Sequence, residues 1–280
     1  MPAQADKLSS SDPIAAFREE TRQSVATYKE ETQWQKLSKD WMKIAGEKRY
    51  FYNFNFLGRP IIQTPQDMVA FQEIVWDVKP DLIIETGIAH GGSLVMSAGM
   101  LALLDYCDAA AAGVPLDPKA AKRRVLGIDI DIRAHNRAAI EAHPLSHRID
   151  MIQGSSIAPE IIRQVKDAAK NYKRILVSLD SNHTHDHVLA ELEAYAPLTS
   201  KGSYCIVFDT IIEDMPDDAF PDRPWSVGNN PKTAVHQYLK DLKKKPQNGA
   251  DGAPLSFSID RHIEDKLVLT VTPDGFLRRT

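Results

Sequence analysis

Five short apolar runs in the sequence end in polar residues of types that carry chemistry. These ends are Glu85-Thr86-Gly87, Asp129, Gln153 to Ser156, Asp180 to His183, and Asp209. Carboxylates and imidazoles bind cations or accept protons, whereas glycines allow the backbone to approach a ligand. Ligands of open α/β sheets bind at the carboxyl ends of the strands, so these residues predict one shared ligand site.

The segment from Glu85 to Ser93 predicts a ligand-binding turn at the start of a helix. It is not a GxGxxG pattern, and a pyrophosphate at a helix start does not favour a neighbouring carboxylate. A carboxylate suits the cationic amino group of S-adenosylmethionine (SAM) better, so we expect the methionine end of SAM here. The expected contacts are Glu85, Thr86, Gly87, Ala89, Gly91 and Ser93. A purely structural glycine-rich turn is the alternative.

Two further ends predict contacts to the adenosine half of SAM. Asp129 ends the second apolar run, where a carboxylate can accept both ribose hydroxyls. A helix N-cap role for Asp129 or Asp131 is the alternative. Ser155 and Ser156 end the third run, where adenine would lie, but serines also cap helices, so both interpretations stay open.

The last two ends predict a base and a cation site. His183 is a candidate general base for a substrate hydroxyl, because imidazole titrates near neutral pH. Asp180 could orient His183 or bind a divalent cation, and Asp209 on the adjacent strand would face Asp180. Two converging carboxylates suit Mg²⁺. A hydrogen-bonded loop histidine is the alternative for His183.

The expected SAM site predicts a methyltransferase, and three other classes of protein are alternatives to it. The run His183-Thr184-His185-Asp186-His187 is one residue short of the HxHxDH ligand set of zinc-dependent hydrolases. A nicotinamide-dependent oxidoreductase uses the same fold but needs a turn compatible with pyrophosphate, which Glu85 opposes. A non-catalytic protein that binds SAM or a nucleotide is a third possibility.

The apolar runs alternate with helical patterns, which are typical of a parallel sheet buried on both faces. The helical patterns lie at 93–108, 133–143, 158–170, 185–196 and 231–244. Runs at 255–260 and 266–272 predict a closing antiparallel hairpin, because no helix fits between them. We expect a Rossmann-like α/β fold with a mostly parallel seven-stranded sheet. Residues 64–280 would form the catalytic domain and residues 1–63 a helical and aromatic extension.

Composition limits the partners and the compartment. The net charge is −4 and the pI about 6.1, which argues against a nucleic-acid surface. A stretch of roughly 18 consecutive apolar residues does not occur, so we predict no membrane span. The two cysteines show no disulfide or zinc spacing, and a cytoplasmic location is expected.

Several segments together resemble the cephalosporin hydroxylase family, from about residue 50 to the end. They are 52–67 with Gly58-Arg59-Pro60 and Gln63, Lys79-Pro80-Asp81, Ile84 to Gly87, Gly91-Gly92-Ser93, Gly127 to Asp131, Asp180 to His183, and Asp209-Thr210. Members of this family look like class I SAM methyltransferases, and relatives methylate macrolide sugars or rhamnosyl groups. The resemblance therefore implies O-methylation of a small polyhydroxylated acceptor such as a sugar.

The resemblance also implies roles for individual residues. SAM contacts would lie at Glu85, Gly87, Ser93 and Asp129, and we add Gln63 and Asp180 to this set. His183 would be the base, with Mg²⁺ held by Asp180 and by an acidic pair after the fifth strand. That Glu-Asp pair reads Phe208-Asp209 here, so one ligand is missing unless Glu213 or Asp214 replaces it. Relatives form homo-oligomers partly through N-terminal helices, which implies the same here.

Overall fold

The computed structural model describes residues 12–280, so residues 1–11 of the expected extension lie outside it. Two helices come first, α1 (Pro13–Tyr28) and α2 (Thr32–Glu47), followed by a small hairpin of β1 (Phe54–Phe56) and β2 (Arg59–Ile61). The aromatic side chains of Phe51, Phe54 and Phe56 pack against the main core. The aromatic side chains therefore hold this N-terminal segment against the rest of the protein.

A sheet of seven strands forms the centre of the protein. Its strands are β3 (Leu82–Thr86), β4 (Arg124–Asp129), β5 (Ile149–Gln153), β6 (Ile175–Leu179), β7 (Tyr204–Val207), β8 (Phe257–Ile259) and β9 (Phe276–Arg279). Their order is β5-β4-β3-β6-β7-β9-β8, and the first five in this order are parallel. Strand β9 runs antiparallel to both β7 and β8. The predicted Rossmann-like, mostly parallel sheet of seven strands is confirmed.

Seven helices accompany the sheet in the described part of the domain. They are α3 (Pro65–Val78), α4 (Gly92–Ala112), α5 (Ala134–Glu141), α6 (Pro159–Ala169), α7 (His185–Tyr195), α8 (Pro231–Lys244) and α9 (Arg261–Leu267). One apolar core contains side chains of α3, α4 and α5, and a second contains side chains of α6, α7 and α8. Each face of the sheet is therefore covered, which explains why the parallel strands are apolar throughout.

Helix α4 is the one helix among residues 12–280 that is long and apolar enough to cross a membrane. Its side chains Leu94, Val95, Ala98 and Leu101 are fully buried in the core that covers one face of the sheet. Burial against the sheet explains the apolar composition, so we interpret α4 as a core helix.

The end of the chain departs from the predicted hairpin of 255–260 and 266–272. Helix α9 separates the two last strands, and the second strand is Phe276–Arg279, so the expectation that no helix fits was wrong. Tertiary contacts explain the difference. The Asp67 carboxylate accepts hydrogen bonds from Thr270 Oγ1 (2.5 Å) and Val271 N–H (2.9 Å), which holds this strand-like run in a loop beside α3.

Candidate active site

The site forms where the chain leaves β3 and β6, which are neighbours in the sheet. From β3 the sheet continues through β4 in one direction and through β6 in the other, and such a switch point opens a crevice. Gly87 follows β3 with φ +89°, and a Cβ atom there would lie 2.0 Å from the backbone oxygen of Asp180. Only glycine therefore allows the turn to approach Asp180 this closely.

Glu85 lies beneath the turn, only 3% exposed. Its carboxylate accepts hydrogen bonds from two serines of α4, Ser93 through Oε1 and Ser97 through Oε2 (3.4 Å). Burial raises the pKa of Glu85 to about 7, and the serine hydrogen bonds offset this only in part. A cationic ligand at the turn would stabilise the charged form of this carboxylate.

Asp129 is connected to the same turn by hydrogen bonds. Its Oδ2 accepts from the N–H groups of Ile88 (2.8 Å) and Ala89 (3.2 Å), and its Oδ1 accepts from Asp131 N–H (3.0 Å). The N-cap of α5 is Arg133, so the alternative N-cap role for Asp129 or Asp131 was wrong. The Asp129 carboxylate therefore faces the crevice side of β4, where a ribose contact stays a prediction.

Arg59 and Asn136 support the turn, and the sequence reasoning gave neither a role. The Arg59 guanidinium donates from Nε to His90 O (3.0 Å) and from Nη2 to Asn136 Oδ1 (3.1 Å). Asn136 Nδ2 in turn donates to Ala89 O (2.9 Å). Arg59 belongs to the Gly58-Arg59-Pro60 segment of the family resemblance, which was the available signal. Asn136 carries no signal in a single sequence.

Asp180, His183 and Asp209 form the acidic centre of the site. Each offers one ligand atom, and these atoms lie within 4.8 Å of one another. His183 Nε2 is 3.1 Å from Asp209 Oδ2. Burial and the nearby carboxylates of Asp209 and Glu85 raise the pKa of Asp180 well above its ordinary value. The predicted meeting of Asp180 with Asp209 is confirmed, and His183 joins them.

Three details of this centre bear on alternatives that the sequence left open. Asp209, rather than Asp180, contacts the imidazole of His183. Glu213 does not replace the missing acid, because its Oε2 accepts from Gly228 N–H (2.8 Å) and from Asn230 Nδ2. Asp214 does not replace it either, because it pairs with Lys232.

Gln63 reaches the centre from the segment between β2 and α3. It is 6% exposed, and its Nε2 lies 3.4 Å from Asp180 Oδ2. Its Oε1 is buried without a hydrogen-bond partner in the described part of the chain. A bound ligand would satisfy this unpartnered amide oxygen, while the amide nitrogen faces Asp180.

The histidines of the run 183–187 diverge, so the zinc hydrolase interpretation was wrong. His185 Nδ1 pairs with Thr233 Oγ1 (2.8 Å), away from the acidic centre. His187 Nε2 lies 3.0 Å from Ser156 Oγ and 3.5 Å from Glu191 Oε1. Ser156 is therefore tied to α7, while Ser155 lies half-buried in the turn after β5. An adenine contact for either serine stays a prediction.

Comparison with known proteins decides the family. The rhamnosyl O-methyltransferase/CmcI family matches residues 48–280 of this chain. The chain belongs to this family. Its membership confirms the expected resemblance and the enzyme class, a SAM-dependent methyltransferase, and it overturns the nicotinamide oxidoreductase alternative.

Individual relatives of the rhamnosyl O-methyltransferase/CmcI family give the same assignment. The rhamnosyl O-methyltransferase of Mycobacterium tuberculosis (strain ATCC 25618 / H37Rv) is 30% identical over 226 residues, which cover 80% of this chain and 77% of that protein. The Mycobacterium leprae (strain TN) protein is 27% identical over 238 residues, covering 83% and 88%. A solved structure of CmcI with Mg and SAM has a TM-score of 0.50 at 17% identity, covering 82% of this chain and 78% of that one. That structural likeness supports the fold.

Proposed function

We propose that this chain transfers the methyl group of SAM to a hydroxyl of a rhamnosyl-type sugar acceptor, with His183 as the general base. The observation that carries the proposal is the His183–Asp209 pair, 3.1 Å apart, beside the turn after β3. The rhamnosyl O-methyltransferases, 30% identical over 226 residues, support the choice of acceptor.

Asp209 sets which nitrogen of His183 accepts the proton. A carboxylate beside Nε2 favours the tautomer with hydrogen on Nε2, because that N–H then donates to the carboxylate. Nδ1 is then the free acceptor for the hydroxyl proton. As the acceptor oxygen bonds to the methyl carbon, the carbon–sulfur bond breaks and S-adenosylhomocysteine (SAH) leaves as a neutral thioether.

The turn would hold the methionine end of SAM. The carboxylate of Glu85 beneath the turn favours the ammonium group of SAM. The hydrogen-bonded backbone from Gly87 to Gly91 would fix the position of the sulfonium. The Asp129 carboxylate would accept the ribose hydroxyls. Alignment of two bound reactants can lower a barrier by roughly 7–11 kcal/mol, so positioning supplies much of the rate.

The residues of the acidic centre fit one divalent cation. Asp180 and Asp209 provide carboxylate oxygens, which Mg²⁺ prefers, and Gln63 Oε1 is a buried amide oxygen without a partner among residues 12–280. Phe208, in the place of the family's second acid, is buried in the core and cannot ligate. A bound cation would orient the acceptor hydroxyl and lower its pKa.

The His183→Gln variant tests the proposed base. Binding of SAM, measured by calorimetry, should equal that of the wild type, because His183 lies outside the turn. Methyl transfer from SAM to methyl α-L-rhamnopyranoside should fall by about a hundredfold or more, the usual range for a general base. Undiminished transfer with intact SAM binding would show that His183 is not the base. A wild type that does not bind SAM would overturn the function itself.

A homo-oligomer is part of the same proposal. Ile14, Phe17 and Leu37 on α1 and α2 are each more than half exposed, at 59%, 65% and 59%. Exposed apolar side chains at this density favour a contact between copies of the chain. Sedimentation velocity tests it, and a strictly monomeric protein would contradict it. The cytoplasmic location stays a prediction.

A further inference from the structure

Trp225 lies directly against the proposed base. The rings of Trp225 and His183 have centroids 4.7 Å apart and an interplanar angle of 80°. In such an edge-to-face pair the positive edge of one ring meets the negative face of the other, which fixes the orientation of both. Trp225 is only partly buried, so part of the indole is open beside the base.

The loop that carries Trp225 is held at several points. Glu213 Oε2 accepts from Gly228 N–H (2.8 Å). Asn229 Oδ1 accepts from His185 N–H (2.9 Å), and Asn229 Nδ2 donates to Pro224 O (2.9 Å). Three hydrogen bonds therefore anchor the segment that places Trp225 next to His183.

Arg223 adds a polar group next to the same ring. Its guanidinium carbon lies 5.2 Å from the centroid of the Trp225 ring, in a cation–π contact. The Arg223 side chain is exposed and carries several N–H donors. The surface beside His183 thus combines an indole ring with N–H donors, which the Arg223 guanidinium holds over one face of that ring.

We propose that Trp225 is the acceptor platform, on which the C–H face of a pyranoside ring packs beside His183. This inference rests on the function proposed above and names the part of the chain that selects the acceptor. A pyranoside has C–H groups on its faces, which suit an indole, and hydroxyls around its rim. One rim hydroxyl then faces His183 while Arg223 donates to ring oxygens.

The test compares Trp225→Ala and Trp225→Phe with a matched control. Trp76→Ala is the control, because Trp76 on α3 is 48% exposed and also has a cation, Lys79 Nζ, 4.7 Å from its ring. Each protein is saturated with SAH, and binding of methyl α-L-rhamnopyranoside is measured by saturation-transfer NMR. Calorimetry measures the SAH affinity of each protein separately.

The wild type and Trp76→Ala should transfer saturation to the C–H protons of the sugar ring with equal sugar affinity. Trp225→Ala should raise the Kd for the sugar by about tenfold. Trp225→Phe should raise it by less, because a smaller aromatic face remains. In turnover, Trp225→Ala should raise the acceptor KM more than it lowers kcat, whereas loss of base positioning alone would lower kcat. SAH affinity should not change.

Two results would overturn the proposed role of Trp225 as the acceptor platform. One is a Trp225→Ala protein that binds SAH and the rhamnoside as the wild type does. The other is a wild type that binds SAH but shows no saturation transfer from the protein to the sugar. The proposed function fails separately, when the wild type does not bind SAH.

Discussion

Replacing Glu85 by glutamine should increase the stability of the protein at high pH and weaken its binding of SAM. The pKa of Glu85 is about 7 in the folded protein, against an ordinary 4.5, because the carboxyl group is buried beneath the turn. A group whose pKa is raised on folding contributes stability below its ordinary pKa, and that contribution is lost as pH rises through the folded value. For Glu85 the loss amounts to about 3 kcal/mol between pH 4.5 and pH 8.5.

The Glu85→Gln side chain stays neutral, so its contribution does not change with pH. The free energy of unfolding of Glu85→Gln, relative to wild type, should therefore increase by about 3 kcal/mol between pH 4.5 and pH 8.5. Urea denaturation without ligand, at both pH values, measures this difference.

SAM binding should change in the other direction. Loss of the charge beneath the turn should weaken SAM binding by about tenfold or more at pH 8, which calorimetry measures. Glu264→Gln is the matched control, because it removes a carboxyl group from α9 and should leave SAM affinity unchanged. A Glu85→Gln protein with wild-type SAM affinity and no pH-dependent gain in stability would refute the reasoning about this carboxylate.

Three other variants test separate parts of the structure. Burial raises the pKa of Asp67 to about 6, so wild type should lose about 2 kcal/mol of unfolding free energy relative to Asp67→Asn between pH 4 and pH 7. A pH-independent difference in urea denaturation would contradict this. Gly87→Ala should lower the Tm and abolish SAM binding, because its Cβ would lie 2.0 Å from Asp180 O; an unchanged Tm with intact binding would refute the close approach. Asp209→Asn should weaken Mn²⁺ binding about tenfold by electron paramagnetic resonance, and equal Mn²⁺ affinity would remove Asp209 from the cation site.

The sheet was predictable because each parallel strand is a short apolar run that ends in a polar residue. Parallel strands buried on both faces need this pattern. The helices between them show the other signal, apolar residues repeated every three to four positions. The run 266–272 misled the prediction, because its alternation is typical of a strand. Its conformation depends on Asp67, about two hundred residues earlier in the chain, which a local pattern cannot reveal.

The main side chains of the site could be predicted from the sequence. Asp180, His183 and Asp209 follow adjacent strands, and the rule for strand ends brings them together. Their pairing was not predictable, because whether Asp180 or Asp209 contacts His183 depends on side-chain directions. The left-handed backbone of Asp209, with φ +56°, is one such feature. The roles of Asn136 and Trp225 likewise depend on contacts between segments far apart in the sequence.

The most direct test of the central claim is a crystal structure grown with SAH and methyl α-L-rhamnopyranoside. We expect the amino-acid end of SAH at the turn between Glu85 and Ser93, its ribose at Asp129, and a sugar hydroxyl within hydrogen-bond distance of His183. SAH bound elsewhere, with the turn empty, would contradict the claim that this turn and this histidine form a methyl-transfer site.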